Sequence, residues 1–215
     1  MTNQLILEDH HFEQGELSSL TTAYIDQYPI VYILYNRNPK KRPVAYIGQT
    51  VQASKRMKQH LKNPQRKEVK EVLLIGHEKF NQSATYNIET NLINHFIGDE
   101  KFQLQNVSQT RQVQMHQYYE KEFYDEVLFQ ELWKELQSRQ LATHSIDTIR
   151  NKDVYKLSPF KELTPEQLEI KLEIIDYCQN NIQKTEHKKV FMIEGEAGTG
   201  KSVVLASLYN TLQDY

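Results

Sequence analysis

Six residues within a stretch of 75 carry side chains that suit the hydrolysis of a phosphodiester bond. That reaction needs an activated oxygen nucleophile, positive charge beside the phosphoryl group and a proton for the leaving oxygen. Arginine can bind phosphate oxygens through two N–H groups, and a carboxylate can hold a hard cation such as Mg²⁺. Tyrosine and histidine can transfer protons. The six residues are Tyr32, Tyr46, Arg56, His60, Glu89 and Asn106.

The tyrosines need a special environment before either can accept a proton at neutral pH. The unperturbed pKa of a tyrosine is about 10, so a tyrosine that acts as a base requires a lower value. A nearby lysine, arginine or metal ion would lower it. The sequence therefore predicts that the pKa of the reactive tyrosine is depressed.

A small set of strands and helices must position these side chains. Residues 1–28 are mixed in character and are predicted to form a helix or a loop. After them, apolar β-branched and aromatic runs predict strands, and apolar residues at helical spacing predict helices. Arg56 and His60 are four residues apart, so they share one face of their helix. The predicted order is a strand at 29–35, a turn at 36–43, a strand at 44–48, a helix at 54–61, a strand at 69–75 and a helix at 84–97 that Gly98 ends.

The six residues and their spacing resemble the GIY-YIG nuclease family over about residues 29–110. The first motif stands as Ile30-Val31-Tyr32, without its glycine, and the second as Tyr46-Ile47-Gly48. Arg56 and His60 follow Tyr46 by ten and fourteen residues, which is the usual spacing of the family. Glu89 lies in a segment similar to the metal-binding helix of the family, and Asn106 matches its late asparagine.

The resemblance implies a role for each residue. Tyr32 would be the general base, acting on a water molecule, while Tyr46 and His60 would assist proton movement. Arg56 would bind phosphate, Glu89 would bind the metal, Mg²⁺ or Mn²⁺, and Asn106 would support the site. Lys55 would help to lower the pKa of a tyrosine.

The charge distribution suggests where nucleic acid would bind. Residues 37–70 contain eleven basic residues and one acid, although the net charge of the chain is −2. A positive face on a nearly neutral protein suits a polyanion, here nucleic acid, with DNA as the expected substrate. The residues expected to contact it are Lys41, Arg42, Lys55, Lys58 and Lys62.

Residues 116–137 carry six acids and two bases and lie in a predicted long helix over 114–140. Its apolar stripe favours a packing face, and self-association through this helix stays open as an alternative. The stripe consists of Phe123, Val127, Leu128, Leu132, Trp133 and Leu136. Residues 141–157 are weakly patterned and are interpreted as a linker.

A phosphate loop lies near the end of the sequence. Gly195 to Ser202 fit the pattern G-x-x-x-x-G-K-[ST], between an apolar strand predicted at 189–194 and a helix. Gly195, Gly198 and Gly200 would let backbone N–H groups face phosphates, Lys201 would reach the β- and γ-phosphates, and Ser202 would ligate Mg²⁺.

Residues 159–215 resemble P-loop ATPases of the superfamily 1 helicase type. Gln167 looks like the adenine-reading glutamine of that group. It could equally be the third residue of a capping box that begins at Thr164, and both roles can hold. Thirteen residues follow Ser202, whereas a working ATPase needs further strands and a second acidic motif. We therefore expect the N-terminal part of a longer protein, one in which ATP and Mg²⁺ bind. The 215-residue chain itself is expected to bind ATP weakly and not to hydrolyse it.

Composition and sequence patterns predict the cellular location of the protein. The sequence has no secretory signal pattern and no apolar run near the roughly 20 residues that cross a bilayer. The single cysteine, Cys178, excludes an intrachain disulfide and a cysteine-rich zinc site. We therefore expect a cytoplasmic protein without a membrane partner.

These observations combine into one predicted organisation. The fold class is α/β (α+β): a small GIY-YIG-type sheet with flanking helices, a helical linker, and the first strand and helices of a truncated P-loop domain. The predicted function is a metal-dependent endonuclease joined to an ATP-driven helicase, an architecture similar to bacterial nuclease–helicase proteins of phage defence. The alternative is a non-catalytic nucleic-acid-binding module that recruits an ATPase. The predicted boundaries are 1–28 for an N-terminal extension, 29–110 for the nuclease domain, 111–158 for the linker and 159–215 for the P-loop segment.

Overall fold

A five-stranded mixed sheet organises the first two thirds of the chain, which confirms the prediction of a mixed α/β fold. The computed structural model describes residues 4–18, 20, 22–37, 43–106, 119–156, 158, 163–181 and 189–212. The strand order is β1-β4-β2-β3-β5, with every neighbouring pair antiparallel except β3 and β5. The strands are β1 (Ile6–His11), β2 (Ile30–Asn36), β3 (Val44–Thr50), β4 (Glu71–Gly76) and β5 (Gln103–Leu104).

Strand β2 lies at the centre of the sheet because both of its faces are apolar. Its residues from Ile30 to Tyr35 are all buried. In the β2–β3 hairpin Tyr32 pairs with Gly48. A Cβ added to Gly48 would lie 2.3 Å from the Tyr32 hydroxyl, so this glycine makes room for the tyrosine side chain. The glycine of the second motif therefore has a local packing role.

The N-terminal segment belongs to this sheet. Residues 6–11 form β1, which pairs with β4 along its whole length, from Ile6 opposite Gly76 to His11 opposite Glu71. The prediction of a helix or a loop at the N-terminus is therefore wrong for this stretch. The segment after β1 turns back onto the sheet, where Leu17 and Ile25 are fully buried.

Two helices cover the two faces of the sheet. Helix α1 (Ala53–Leu61) places Ala53 and Met57 against the face formed by Ile30, Tyr32 and Leu34. Helix α2 (Gln82–Asp99) begins at Asn81, whose side chain accepts a hydrogen bond from the Ala84 N–H at 2.9 Å. It packs on the opposite face through side chains that include Ile88, Leu92 and Phe96.

Gly98 does not end α2, contrary to the prediction from sequence. The helix continues to Asp99, and Glu100 caps it in the left-handed conformation with φ +60°. A Cβ on Gly98 would lie 2.5 Å from Cγ2 of Ile149 and 3.1 Å from Cβ of Tyr155. Gly98 therefore permits another part of the chain to pack closely against α2.

Residues 119–156 supply that packing layer and are more than a linker. A π-helical turn (Phe123–Leu128) leads into α3 (Phe129–Ser138), which is followed by α4 (Ile146–Asn151) and α5 (Asp153–Lys156). Leu132, Trp133 and Leu136 of the predicted apolar stripe are buried in the same core as α2 and the sheet. Val127 of that stripe is 59% exposed. Residues 107–118 lie outside the described residues, so the start of the predicted acidic helix does too.

The C-terminal described residues form a helix pair with its own small core. Helix α6 (Pro165–Asn181) begins with the predicted capping box: Thr164 N–H donates to Gln167 Oε1 at 3.0 Å, and Gln167 N–H donates to Thr164 Oγ1 at 3.3 Å. It packs on α7 (Lys201–Leu212) through Ile174, Ile175 and Leu208.

The strand predicted at 189–194 is not formed among the described residues, where no neighbouring strand pairs with it. Its side chains nevertheless alternate as in a strand. Phe191 and Ile193 pack on the helix pair, whereas Val190 and Met192 are 85% and 79% exposed. Extended residues become a strand only when another strand accepts and donates their backbone hydrogen bonds.

Across the described ranges, every helix is too short or too polar to span a lipid bilayer.

Candidate active site

Tyr32, Arg56 and His60 meet in one hydrogen-bonded chain. The Tyr32 hydroxyl lies 2.8 Å from His60 Nε2, and Arg56 Nε donates to the same hydroxyl at 3.1 Å. Tyr32 comes from the centre of β2, while the other two residues project from one face of α1, as their spacing predicted. Tyr32 is fully buried and His60 is 5% exposed, so the chain lies mostly beneath the surface.

The environment raises the pKa of Tyr32 instead of lowering it. Burial is the largest cause, the Tyr46 hydroxyl adds to it, and the Arg56 guanidinium only partly offsets both. The prediction of a depressed tyrosine pKa is wrong for this protein. Charge from one arginine does not compensate for a phenol that has lost its water.

His60 is held in its neutral form. Burial lowers its pKa to about 3, with further lowering from the positive charges of Arg56 and Arg66. A neutral ring whose Nε2 accepts a hydrogen bond carries its own proton on Nδ1. The tautomer sets the direction of the Tyr32–His60 bond: with the ring proton on Nδ1 the Tyr32 hydroxyl donates to His60 Nε2, and with it on Nε2 the ring donates to the Tyr32 oxygen. Arg56 donates to the Tyr32 oxygen in both cases.

Tyr46 completes an aromatic cluster around this chain. Its ring centroid lies 5.1 Å from that of His60 and 6.3 Å from that of Tyr32. The guanidinium carbon of Arg66 lies 3.9 Å from the Tyr46 ring centroid, a cation–π distance. The structure therefore brings the first four predicted residues together and adds Arg66, which was predicted only as one member of the basic stretch.

Asn106 acts on the backbone of β3. Its Oδ1 accepts from the Ile47 N–H at 3.0 Å, and its Nδ2 donates to the Ile47 carbonyl at 2.8 Å. The side chain thus makes the two backbone hydrogen bonds that a neighbouring strand would make at Ile47, the residue next to Tyr46. The role in the site that the resemblance implied for Asn106 stays a prediction.

Glu89 lies on α2 and is 5% exposed. Its negative charge contributes to the raised pKa of Tyr32, after burial and Tyr46, so the carboxylate lies within electrostatic range of the hydroxyl. Within the described residues no group of three or more His, Cys, Asp or Glu side chains could hold a metal ion. One carboxylate fits a Mg²⁺ ion that keeps several waters and binds substrate phosphate, and does not fit a cation enclosed by protein ligands.

The predicted nucleic-acid contacts fall into two groups. Lys55, Lys58 and Lys62 are exposed on or just after α1, the helix that also carries the half-buried Arg56 and the buried His60. Their ammonium groups are therefore free to meet a polyanion. Lys41 and Arg42 lie outside the described residues.

Two glycines of the predicted phosphate loop have left-handed backbone conformations. Gly198 and Gly200 adopt φ values of +84° and +80°, which favour glycine. The Lys201 ammonium donates to the carbonyls of Gly195 and Glu196, both at 2.7 Å, and α7 begins at this residue, with Ser202 next and exposed.

Gln167 contacts the loop as well as closing its own capping box. Its Nε2 donates to the Thr199 carbonyl at 2.9 Å. A Cβ on Gly200 would lie 2.5 Å from that nitrogen. The capping role is confirmed, and the adenine-reading role stays a prediction.

Stability should depend on pH through His60. Between pH 6.5 and 3 the unfolded chain protonates this histidine and the folded chain does not, so the free energy of unfolding falls as pH falls. From pH 7.5 to 5.5 the expected loss is about 1.4 kcal/mol. Urea unfolding at both pH values should show this loss in the wild type, a smaller one in His60→Gln, and an unchanged one in the exposed control His11→Gln. Equal slopes in all three would contradict a buried neutral His60.

Comparison with known proteins gave one short match. No family model matches the chain, and no solved structure does. The chain is 36% identical over 55 residues to uncharacterized protein YPL245W of Saccharomyces cerevisiae. That segment covers 24% of this chain and 12% of the yeast protein. The interpretation of the site therefore rests on its geometry.

Proposed function

We propose that this chain is a metal-dependent endonuclease that hydrolyses phosphodiester bonds in nucleic acid, with DNA as the expected substrate. The observation that carries the proposal is the hydrogen-bonded Arg56–Tyr32–His60 chain, two of whose residues come from the same helix as an exposed row of lysines. Polyanion binding explains the lysines, and proton transfer explains a tyrosine placed between an arginine and a neutral histidine.

Tyr32 acts in this mechanism as a proton relay. Because its pKa is raised, it holds its proton until a water molecule attacks the phosphorus. Tyr32 is fully buried in the free protein, so the relay requires that substrate binding bring a water molecule to its oxygen. That water loses a proton to the Tyr32 oxygen as Tyr32 passes its own proton to His60 Nε2. The P–O bond to the leaving oxygen breaks, and that oxygen leaves as an alkoxide that takes a proton from solvent water. His60 is then an imidazolium and returns its proton to solvent.

The charge of the substrate makes His60 a better base. Arg56 and Arg66 lower its pKa in the free protein, after burial. A bound phosphate would neutralise part of that positive charge and would raise the pKa of His60 toward its ordinary value. Proton acceptance would then become favourable only when substrate is present. A Mg²⁺ ion held by Glu89 would neutralise negative charge on the phosphoryl oxygens.

The phosphate loop supports a nucleotide-binding role for residues 195–202. Gly198 and Gly200 have left-handed φ values, which permit the tight turn that a phosphate loop needs before the N-terminus of α7, where an anion is favoured. Lys201 now binds two loop carbonyls and would exchange them for phosphate oxygens. This part of the proposal is a P-loop that binds a nucleoside triphosphate, in the manner of the ATPases that it resembles.

Cleavage assays on the 215-residue chain test the nuclease proposal. Supercoiled and single-stranded DNA are incubated with and without Mg²⁺ or Mn²⁺, and nicked and linear products are quantified. We expect metal-dependent cutting that falls at least about 100-fold in Arg56→Ala and in Glu89→Gln, since each removes charge placed for the transition state. The exposed α3 variants Lys134→Ala and Glu131→Gln are matched controls and should cut normally.

Binding measured on the same DNA distinguishes the proposed nuclease from the alternative, a nucleic-acid-binding module without catalytic activity. Salt-sensitive binding without any cutting would favour the non-catalytic module. Cutting that survives both site variants would show that the assigned residues are wrong.

A further inference from the structure

Arg66 is an unusual residue to find buried beside a tyrosine ring. It ends a short 3-10 turn (Pro64–Arg66) that follows α1 and is 7% exposed. Its guanidinium carbon lies 3.9 Å from the Tyr46 ring centroid, and its Nη1 donates to Gln105 Oε1 at 3.1 Å. Among the described residues its Nε is buried without a hydrogen-bond partner. An apolar side chain would cover the ring without that desolvation cost.

Gln105 is itself fixed on β3 next to Tyr46. The Gln103 N–H donates to the Pro43 carbonyl at 2.8 Å, and the Gln105 N–H donates to the Ala45 carbonyl at 2.7 Å. Asn106 then binds both backbone groups of Ile47. Residues 103–106 therefore hold the backbone of β3 on both sides of Tyr46, and the side chain of Gln105 extends this hold to Arg66.

The two contacts restrict the Tyr46 side chain. The backbone of Tyr46 is fixed through its neighbours, and the guanidinium of Arg66 covers its ring at stacking distance. His60 contacts the same ring at 5.1 Å between centroids. A change in the position of Arg66 would therefore change where the Tyr46 hydroxyl lies relative to His60.

We propose that Arg66, held by Gln105, is a positioning residue that fixes Tyr46 against His60 for catalysis. The inference rests on the proposed nuclease function. Arg66 has this effect through Tyr46 and does not bind the substrate itself. The arrangement explains why a buried arginine with an unpartnered nitrogen is placed beside a tyrosine of the site.

Steady-state cleavage kinetics distinguish positioning from substrate binding. Arg66→Ala is expected to lower kcat about 10- to 100-fold while KM for DNA changes less than about threefold. Arg66→Lys keeps the charge but loses the planar stack, so it should recover only part of kcat. Gln105→Ala should lower kcat several-fold. Lys67→Ala, which removes the adjacent exposed positive charge, is the matched control and should match the wild type.

An NMR measurement tests the same contact without cleavage. In protein with ¹³C-labelled tyrosine rings, the Tyr46 signals are assigned by Tyr46→Phe. They should shift in Arg66→Ala and in Gln105→Ala and stay in place in Lys67→Ala. The remaining tyrosine signals report whether each variant is folded, and Gln105→Ala keeps the test valid should Arg66→Ala fail to fold.

The cleavage kinetics and the NMR shifts together distinguish failure of the proposed nuclease function from failure of the positioning role of Arg66. A wild type that never cuts DNA overturns the proposed function and the catalytic role of Arg66 with it. A wild type that cuts, with normal kcat in the Arg66 and Gln105 variants, overturns the positioning role alone. A raised KM with unchanged kcat would instead make Arg66 a substrate-binding residue and would also overturn it.

Discussion

Replacing Tyr32 by phenylalanine is expected to lower the single-turnover cleavage rate by about 10²- to 10⁴-fold, the range of one proton-transfer group. The change removes only the hydroxyl that joins Arg56 Nε to His60 Nε2. The ring stays in the space that Gly48 leaves for it, so the fold should persist. DNA affinity, measured by fluorescence anisotropy, should change little because Tyr32 is fully buried.

Tyr35→Phe is the matched control for this change. Tyr35 lies on the same strand, is equally buried, and its hydroxyl donates to Asp9 Oδ1 at 3.4 Å. Being three residues along β2, its side chain lies on the opposite face of the sheet, in the core that α2 covers. It should therefore cut at close to the wild-type rate. Wild-type cutting by Tyr32→Phe, or an equal loss in Tyr35→Phe, would contradict the relay.

The strands and helices nearest the site could be predicted because their signals are local. The run from Ile30 to Tyr35 is apolar and β-branched, and it forms a central strand that is buried on both faces. Strand β1 was missed because four of its six residues, Ile-Leu-Glu-Asp-His-His, are polar and its partner β4 lies about 65 residues away. Edge strands of this kind are specified by the neighbour they pair with, which no local pattern reveals.

The composition of the site was predicted better than its electrostatics. Residue types and spacing placed Tyr32, Arg56 and His60 together, and the hydrogen bonds among them confirm that grouping. The direction of the Tyr32 pKa shift was predicted wrongly because burial, which a sequence does not display, outweighs the nearby arginine. Arg66 and Gln105 were missed for a related reason: their contacts join segments that are 39 residues apart.

Residues 119–156 fall within the segment that was interpreted as a linker. The apolar stripe of a helix predicts that one face packs, but it does not show which element that face contacts. The structure shows that the face packs on α2, where the absence of a Cβ on Gly98 leaves room for Ile149 and Tyr155. Helix α2 also carries Glu89, so residues 119–156 pack against the helix that positions this candidate site residue. Their contribution to stability should therefore be large.

Trp133→Ala is expected to lower the free energy of unfolding by about 3–5 kcal/mol, the usual cost of removing a buried tryptophan side chain. Trp133 is 1% exposed, stacks on Phe129 at 6.1 Å and meets Phe96 of α2 edge-on at 5.9 Å. Its Nε1 donates to the His144 carbonyl at 2.9 Å, and the change also removes this hydrogen bond. Urea unfolding followed by far-UV circular dichroism measures the loss.

Val127→Ala is the control for Trp133→Ala, because Val127 belongs to the same apolar stripe but is 59% exposed. It should change the free energy of unfolding by less than about 0.5 kcal/mol, as exposed positions usually do.

Comparing the two variants shows whether residues 119–156 are part of the core or only a linker. If residues 119–156 merely connected two domains, both variants would leave the sheet equally stable, and a chain ending at residue 110 would fold and cut DNA. If they form the outer half of the α2 core, Trp133→Ala loses cleavage at urea concentrations that Val127→Ala still tolerates, because Glu89 then loses the helix that holds it.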